Sequence, residues 1–318
     1  MVHNLSIISH AIRHPVTVIY AITMTINQIP IMDDRIKNWN HTAHFSAAFL
    51  EARYPEPGTL PESPLRVVVK GNGVYIQPGP APSLFLPEAQ IKTVMVLREQ
   101  YLGHLDSRAC YAVEVSQDLA ASGSLYYPNV RDLYGILPDN ELALASLAVR
   151  IIDFDRTTTF CGQCGAETRM SRIERAKICD RCGLITYPRT SPAIIVLVRN
   201  KDTILLARSP RFPPDLFSVI AGFVEPGETL EEAVHREVKE EVGIRVSNIS
   251  YVGSEPWPFP HSLMLGFIAD YAGGAITIDN KEIIAADWFD REHLPTLPSP
   301  MSISRALIEY WIRDRDQQ

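Results

Sequence analysis

The sequence predicts an α/β protein in which a mixed sheet lies between helices, preceded by a four-cysteine ribbon and an α+β N-terminal domain. Three observations carry that expectation. In the last third, β-branched runs such as residues 193–198 surround a stretch of helical periodicity beginning at Leu230. Two Cys-x-x-Cys-Gly knuckles, at Cys161 and Cys179, stand immediately before it. Upstream, residues 65–70 and 73–77 flank a Gly71-Asn72-Gly73 turn, a hairpin signal. The implied division is an extension over 1–35, an α+β domain over 36–155, the ribbon over 156–190 and the sheet domain over 191–318.

The chain has 318 residues, of which 46% are hydrophobic and 21% charged, ordinary values for a soluble globular protein. Its net charge of −7 argues against broad binding to nucleic acid and leaves room for a local basic groove. Five cysteines are too few and too clustered for a disulfide scaffold, so a reducing, cytoplasmic compartment is expected. Cys110, the fifth, reads as a small buried residue.

In order along the chain, residues 16–26 are an uncharged, β-branched run, too short to span a bilayer and without a clear cleavage site. They are expected to be an N-terminal extension, with Met24 and Met32 as alternative starts. Residues 65–70, 73–77, 81–85, 93–97 and 110–115 read as strands. Residues 140–152 read as a helix capped by Asn140. No catalytic constellation stands out here. Arg131 is a candidate for reaching a phosphate; the alternative is a surface arginine. The four cysteines at positions 161, 164, 179 and 182 have the spacing of a closed, structural zinc site. A redox pair is the alternative, but one pair would suffice for that. Tyr187 opens a linker. Strands are then expected at 193–198, 204–207, 217–221, 245–252, 263–271, 275–278 and 285–289, and an amphipathic helix at 302–313.

The stretch from Gly222 to Ile244 organises the rest. Gly227 ends a turn, and Thr229 with Glu232 forms a capping box. Leu230, Ala233 and Val234 start an apolar stripe that helical spacing should carry through positions 237 and 241. Both are glutamates, with Glu240 beside them. Partly buried carboxylates within one turn repel one another and call for a partner, and a hard divalent cation is a natural one. The alternative is a solvated acidic face. Gly222, Glu228 and the run Arg236-Glu237-Val238-x-Glu240-Glu241-x-Gly243-Ile244 match the Nudix box at every defined position. The chain therefore resembles a Nudix hydrolase. That resemblance implies an α/β/α sandwich that cleaves nucleoside diphosphate derivatives with Mg²⁺ or Mn²⁺. Glu237, Glu240 and Glu241 would hold metal, the Ala221 carbonyl would join them, and Glu228 would pair with Arg236. Glu282 would add a metal ligand or base; read alone it is a loop acid.

Past the box lies Glu255-Pro256-Trp257-Pro258-Phe259-Pro260-His261-Ser262. Prolines stiffen the segment, so its rings suit stacking on a flat heterocycle; the alternative is an aromatic plug in the core. With the cysteine ribbon and the Tyr187-Pro-Arg linker, it resembles the SQPWPFPxS motif of the NADH pyrophosphatase subfamily. Glu255 departs from the Gln of that motif, and Ser304 stands where Ala is common. The resemblance implies hydrolysis of NAD(H) to NMN(H) and AMP, and removal of NAD caps from RNA. Phe223 and Trp257 would sandwich the nicotinamide, with Tyr187, Ile195, Glu255 and Ser304 completing the pocket and Glu174 touching substrate. It also implies a homodimer whose pocket is completed by the neighbour's Trp257. The rivals are another Nudix substrate, such as ADP-ribose or a dinucleoside polyphosphate, and a non-catalytic nucleotide or RNA sensor.

Overall fold

The computed structural model describes residues 64–314 apart from 106–107, 117–118, 120–122 and 279. The expected extension over 1–35 and the start of the α+β domain lie outside the described residues.

The first sheet runs β3-β4-β1-β2-β5, from β1 (Leu65–Lys70), β2 (Gly73–Ile76), β3 (Val96–Leu105), β4 (Arg108–Val115) and β5 (Leu125–Tyr127). A short helix α1 (Glu88–Ile91) precedes β3. β1 and β2 form the expected antiparallel hairpin, while β1 lies parallel to β4. Helix α2 (Asp139–Thr157) covers one face. Alternate residues of β1, Val67 and Val69, join Leu142, Ala145 and Ile152 of α2 in one buried cluster, while Val68 on the other face packs with Tyr75, Leu86 and Val113 in a second.

Several local expectations are corrected. Residues 81–85 form no strand and make only isolated bridges, Ser83 to Gln77 and Phe85 to Val67. The strand expected at 93–97 starts at Val96 and runs to Leu105, because its pairing with β4 continues well past the exposed Leu97. Helix α2 begins one residue earlier, with Pro138 as the cap residue and no side-chain capping bond. Asn140 lies inside it and accepts only from the adjacent Glu141 N–H. The helix also continues past Ile152, because Phe154 and Asp155 still face inward.

The second sheet is mixed, with order β12-β13-β9-β10-β14 and β11 paired to β9. Its strands are β9 (Ser191–Asn200), β10 (Thr203–Arg208), β11 (Ile220–Phe223), β12 (Arg245–Trp257), β13 (Ser262–Gly273) and β14 (Ala285–Phe289). β13 runs parallel to β9 and the other pairs are antiparallel. Helix α3 (Leu230–Val242) packs on one face, with Ile194, Val196 and Val198 against Ala233, Val234 and Val238. Helix α4 (Ile303–Asp314) packs on β9 and β13. Residues 275–278 are no strand. Gly273 and Gly274, both at positive φ, turn the chain off the sheet edge, and Ile276 and Ile278 pack on the core from a loop.

Between the two sheets the small sheet β6 (Arg169–Met170), β7 (Lys177–Ile178) and β8 (Ile185–Thr186) carries the knuckles. A buried ion pair, Lys177 with Asp155, ties it to α2. Asp155 also accepts from Gln100 Nε2 at 2.7 Å. No helix among the described residues is long and apolar enough to cross a membrane.

Removing one member of a buried pair strands the other charge. Asp155→Ala is expected to cost about 3–5 kcal/mol in urea unfolding; a loss under about 1 kcal/mol, the range of exposed pairs, would show the join to be unimportant.

Candidate metal and dinucleotide site

Local rules build α3 as the sequence implies. Thr229 Oγ1 accepts from Glu232 N–H at 3.2 Å, and Glu232 Oε2 accepts from Thr229 N–H at 2.8 Å. Gly243 closes the helix at φ +76°, a left-handed conformation that other residues adopt only with strain. The inner stripe is Ala233, Val234, Glu237, Val238, Glu241 and Val242, all buried. Glu237 and Glu241 are only 8% and 6% exposed, so two carboxylates do sit where hydrocarbon is expected. Glu240 points outward, its side chain 62% exposed.

Arg236 organises the acids. Its guanidinium donates to both oxygens of Glu228, at 2.5 and 2.8 Å, to Glu237 at 2.8 Å, to Glu240 at 3.1 Å and to the Phe223 carbonyl at 2.9 Å. It thereby fastens the loop before α3 to the helix. The Arg236 hydrogen bonds, then the Glu225 N–H, hold the Glu228 carboxyl down at about 2. Glu237 moves the other way. Burial pushes its carboxyl above the usual range, Arg236 pulls it back, and Glu240 and Glu282 add to the rise. Gly222 on β11 leaves room for the Glu237 carboxyl: a Cβ there would lie 2.0 Å from the carboxyl carbon and make that side chain swing aside.

Beside these acids opens a cavity of about 540 Å³. Glu241, Glu282 and Ala221 line it together with Ile195, Trp257 and Ser304. Ser218 and Ser304 share a hydroxyl–hydroxyl hydrogen bond of 2.7 Å in its wall. The donor chemistry fits a hard dication: carboxylates made costly by burial and mutual repulsion, next to a strand carbonyl. They are not drawn into a tight cage. Among the described residues the four cysteines are the group whose ligand atoms all lie within 4.8 Å, and no three of the acids do so.

The cysteines fit a closed tetrahedral metal site. Cys161 and Cys182 sulfurs lie 3.6 Å apart, Cys164 and Cys179 sulfurs 3.5 Å. Zinc–sulfur bonds of about 2.3 Å give tetrahedral edges of about 3.8 Å. The Gln163 N–H, then the Cys164 N–H, lower the Cys161 thiol to about 7, whereas, against the Ala166 N–H, burial and the neighbouring sulfurs push the Cys164 thiol up to about 12. Cys110 is buried, as expected.

The aromatic segment is not a free loop. Residues 255–257 end β12, Ser262 starts β13 opposite Trp257, and the turn between contains a cis Phe259–Pro260 bond. His261 is tied to Ser191 through both its carbonyl and its ring. Trp257 and Phe259 are half-buried against the first domain's core, and Arg131 lies over both rings at 5.4 and 4.1 Å. Arg131 is exposed overall, yet desolvation lowers its pKa and it contributes to the cavity lining. Arg150 of α2 donates to the carbonyls of Pro260 (2.5 Å) and Arg189. The expected presentation of exposed rings is thus corrected: the N-terminal domain holds them.

Other expected pocket residues fall elsewhere. Phe223 and Tyr187 are exposed, Glu174 is half-buried, and all three lie outside the cavity lining, with the Tyr187 hydroxyl donating to Glu174 at 3.2 Å. Glu255 is wholly buried and accepts from the Ile303 N–H at 2.8 Å, behind the cavity. Pro256 is paired within the sheet, and Pro258 belongs to the turn. Arg211, Lys281, Ser218 and Met264 line the cavity without having been anticipated. Lys281 adjoins Glu282, and Arg211 sits among prolines after β10, a pattern with no chemical signature of its own.

The NUDIX domain matches residues 189–310, and the NADH pyrophosphatase zinc ribbon domain matches residues 156–187. The chain is 48% identical over 212 residues to a protein of Deinococcus radiodurans named NAD-capped RNA hydrolase NudC, spanning 65% of this chain and 75% of that one. A protein of the same name from Pseudomonas fluorescens is 40% identical over 277 residues, 86% of this chain and 96% of that one. Among solved structures, a NUDIX hydrolase from Nitrosomonas europaea aligns over 50% of this chain and 94% of its own, with 22% identity and a TM-score of 0.44.

A depressed carboxyl contributes stability above its unfolded pKa and loses it as pH falls through the folded value. The stability deficit of Glu228→Gln should therefore be full at neutral pH and shrink as pH falls from 4.5 toward about 2. Urea unfolding across that range checks it; a deficit independent of pH would contradict the Arg236 brace.

Proposed function

Since the chain belongs to the Nudix hydrolases, in the group that carries the NADH pyrophosphatase zinc ribbon, we propose how its residues divide the work of hydrolysing the pyrophosphate of NAD(H) to NMN(H) and AMP. The protein is an NAD(H) pyrophosphohydrolase, and by the same cleavage it releases NMN from NAD-capped RNA and leaves a 5′-monophosphate end. The observation that carries this reading is the pair of buried glutamates on α3, one of which, Glu241, lines a cavity walled in part by Trp257.

Glu237 and Glu241 would hold the catalytic cation, Mg²⁺ or Mn²⁺, with the Ala221 carbonyl and, after turning in from its exposed position, Glu240 as further ligands. When bound, the ion offsets diphosphate charge and lowers the pKa of a bound water. The chain's own residues do the rest. Glu282, on the same cavity wall as Glu241, takes the proton from the attacking water or joins the ligand set. Arg236 keeps Glu237 and Glu228 in register with the loop. Ile195, Trp257 and Ser304 shape the nucleoside end, and Arg131 sets a cation beside it. Water adds its oxygen to one phosphorus, the bridging oxygen leaves with the other phosphate, and both products are monophosphates.

Phe223, Tyr187 and Glu174 enter the reading through a second copy. Phe223 and Tyr187 are exposed and Glu174 half-buried here, and a homodimer that seats them against a neighbour's aromatic hairpin would complete the nicotinamide sandwich. The four cysteines hold structural zinc, and their reduced thiols suit a reducing, cytoplasmic setting. The domain division at 36–155, 156–190 and 191–318 gives the N-terminal part the task of holding the hairpin. ADP-ribose as the preferred substrate loses its main support, because Glu255 lies behind the cavity rather than on its lining.

The test is product analysis with NADH and ADP-ribose side by side in Mn²⁺. AMP and NMNH should form, and NADH should turn over faster than ADP-ribose. Glu241→Gln should lower kcat by about 100-fold or more with an unchanged circular dichroism spectrum, since it removes charge that acts in the transition state. Near wild-type turnover of that variant would sink the assignment.

A further inference from the structure

Glu255 is a carboxylate with no exposure, and burial of a charge is expensive unless something specific compensates it. Its Oε2 accepts the backbone N–H of Ile303 at 2.8 Å. Ile303 is the first residue of the twelve-residue helix α4, where N–H groups lack helical partners and the dipole favours a negative group. A second feature places the same turn. Gly266 of β13 would, with a Cβ, meet Ile303 Cδ1 at 2.8 Å, so the strand is bare where the helix start seats.

The segment so fixed is a wall of the cavity. Ser299, Met301, Ser302, Ile303 and Ser304 all line it, and Ser304 shares a hydrogen bond with Ser218 within that wall. On the other side, Glu255 pairs across the sheet with the cavity-lining Met264 and lies two residues before Trp257, on the same face of β12. One side chain therefore joins the aromatic wall to the α4 wall from behind.

We infer that Glu255 is a positioning residue that sets the width of the dinucleotide pocket by anchoring the first turn of α4 to β12, without touching substrate itself. This rests on the proposed NAD(H) hydrolysis for its kinetic readout. The resembling motif has Gln here, which supplies an acceptor without the charge; the carboxylate adds attraction to the helix terminus and leaves no donor to direct at a ligand.

The experiment compares wild type, Glu255→Gln and Glu255→Leu, zinc-loaded, for NADH kinetics in Mn²⁺ and for amide hydrogen exchange without substrate. Loss of charge and then of the acceptor should raise KM for NADH by about threefold in Glu255→Gln and about tenfold in Glu255→Leu. In both, kcat should stay within about twofold, because the acids on α3 are untouched. Exchange at Ile303 should speed up in the same order. If Glu255→Leu fails to fold, the threefold step of Glu255→Gln carries the same decision. Unchanged KM and exchange in the folded variants overturn the inference, as does a fall in kcat at constant KM. Failure of the wild type to release AMP from NADH would instead overturn the proposed function, while the exchange measurement, which needs no substrate, would still decide the anchoring.

Discussion

Two carboxylates on the inner face of α3 set the terms for everything around them. A helix face that buries Ala233, Val234, Val238 and Val242 gains from each residue it hides, whereas Glu237 and Glu241 lose hydration there. The protein keeps them only by surrounding them with compensations. Gly222 gives up its side chain so that the Glu237 carboxyl has room. Arg236 gives Glu237 a counter-charge while spending its main bidentate contact on Glu228. The balance is incomplete, since the Glu237 carboxyl remains pushed upward by burial and by Glu240 and Glu282. A site with residual negative strain beside an open cavity is prepared for a cation.

The rest of the chain shapes what reaches that site. The hairpin between β12 and β13 extends from the catalytic sheet into the N-terminal domain, where Trp257 and Phe259 meet its core and Arg131 covers both rings. Arg150 holds the same turn by carbonyls of Pro260 and Arg189. The first sheet and its helix thus fix one wall of the pocket. The cysteine ribbon serves a related purpose. Its metal would close a segment too small to have a core, and the buried Lys177–Asp155 pair fastens it to α2.

Legibility in the sequence followed the range of the interactions. The capping box at Thr229, the inward glutamates and the cysteine group all depend on spacing within one or two turns or knuckles, and each was readable. Strands with β-branched runs, such as β9, were readable for the same reason. Errors came where a backbone diversion or a distant partner decides. Residues 275–278 have strand composition, but two glycines at positive φ divert them. α2 outruns its expected end because Phe154 and Asp155 find partners in the sheet and ribbon. Glu255 looked like a pocket residue from its motif, yet what it meets is a helix start 48 positions away. Arg211 and Lys281 reach the cavity through loop placement that no local pattern encodes.

The central claim is that Glu237 and Glu241 are buried in order to hold a divalent cation. Electron paramagnetic resonance of Mn²⁺ titrated into the zinc-loaded protein tests it directly, by comparing wild type with Glu237→Gln and Glu241→Gln. Saturable binding to the wild type that each substitution weakens by about tenfold or more is the expected result. Equal Mn²⁺ binding by all three proteins would contradict it, and the buried acids would then need another explanation.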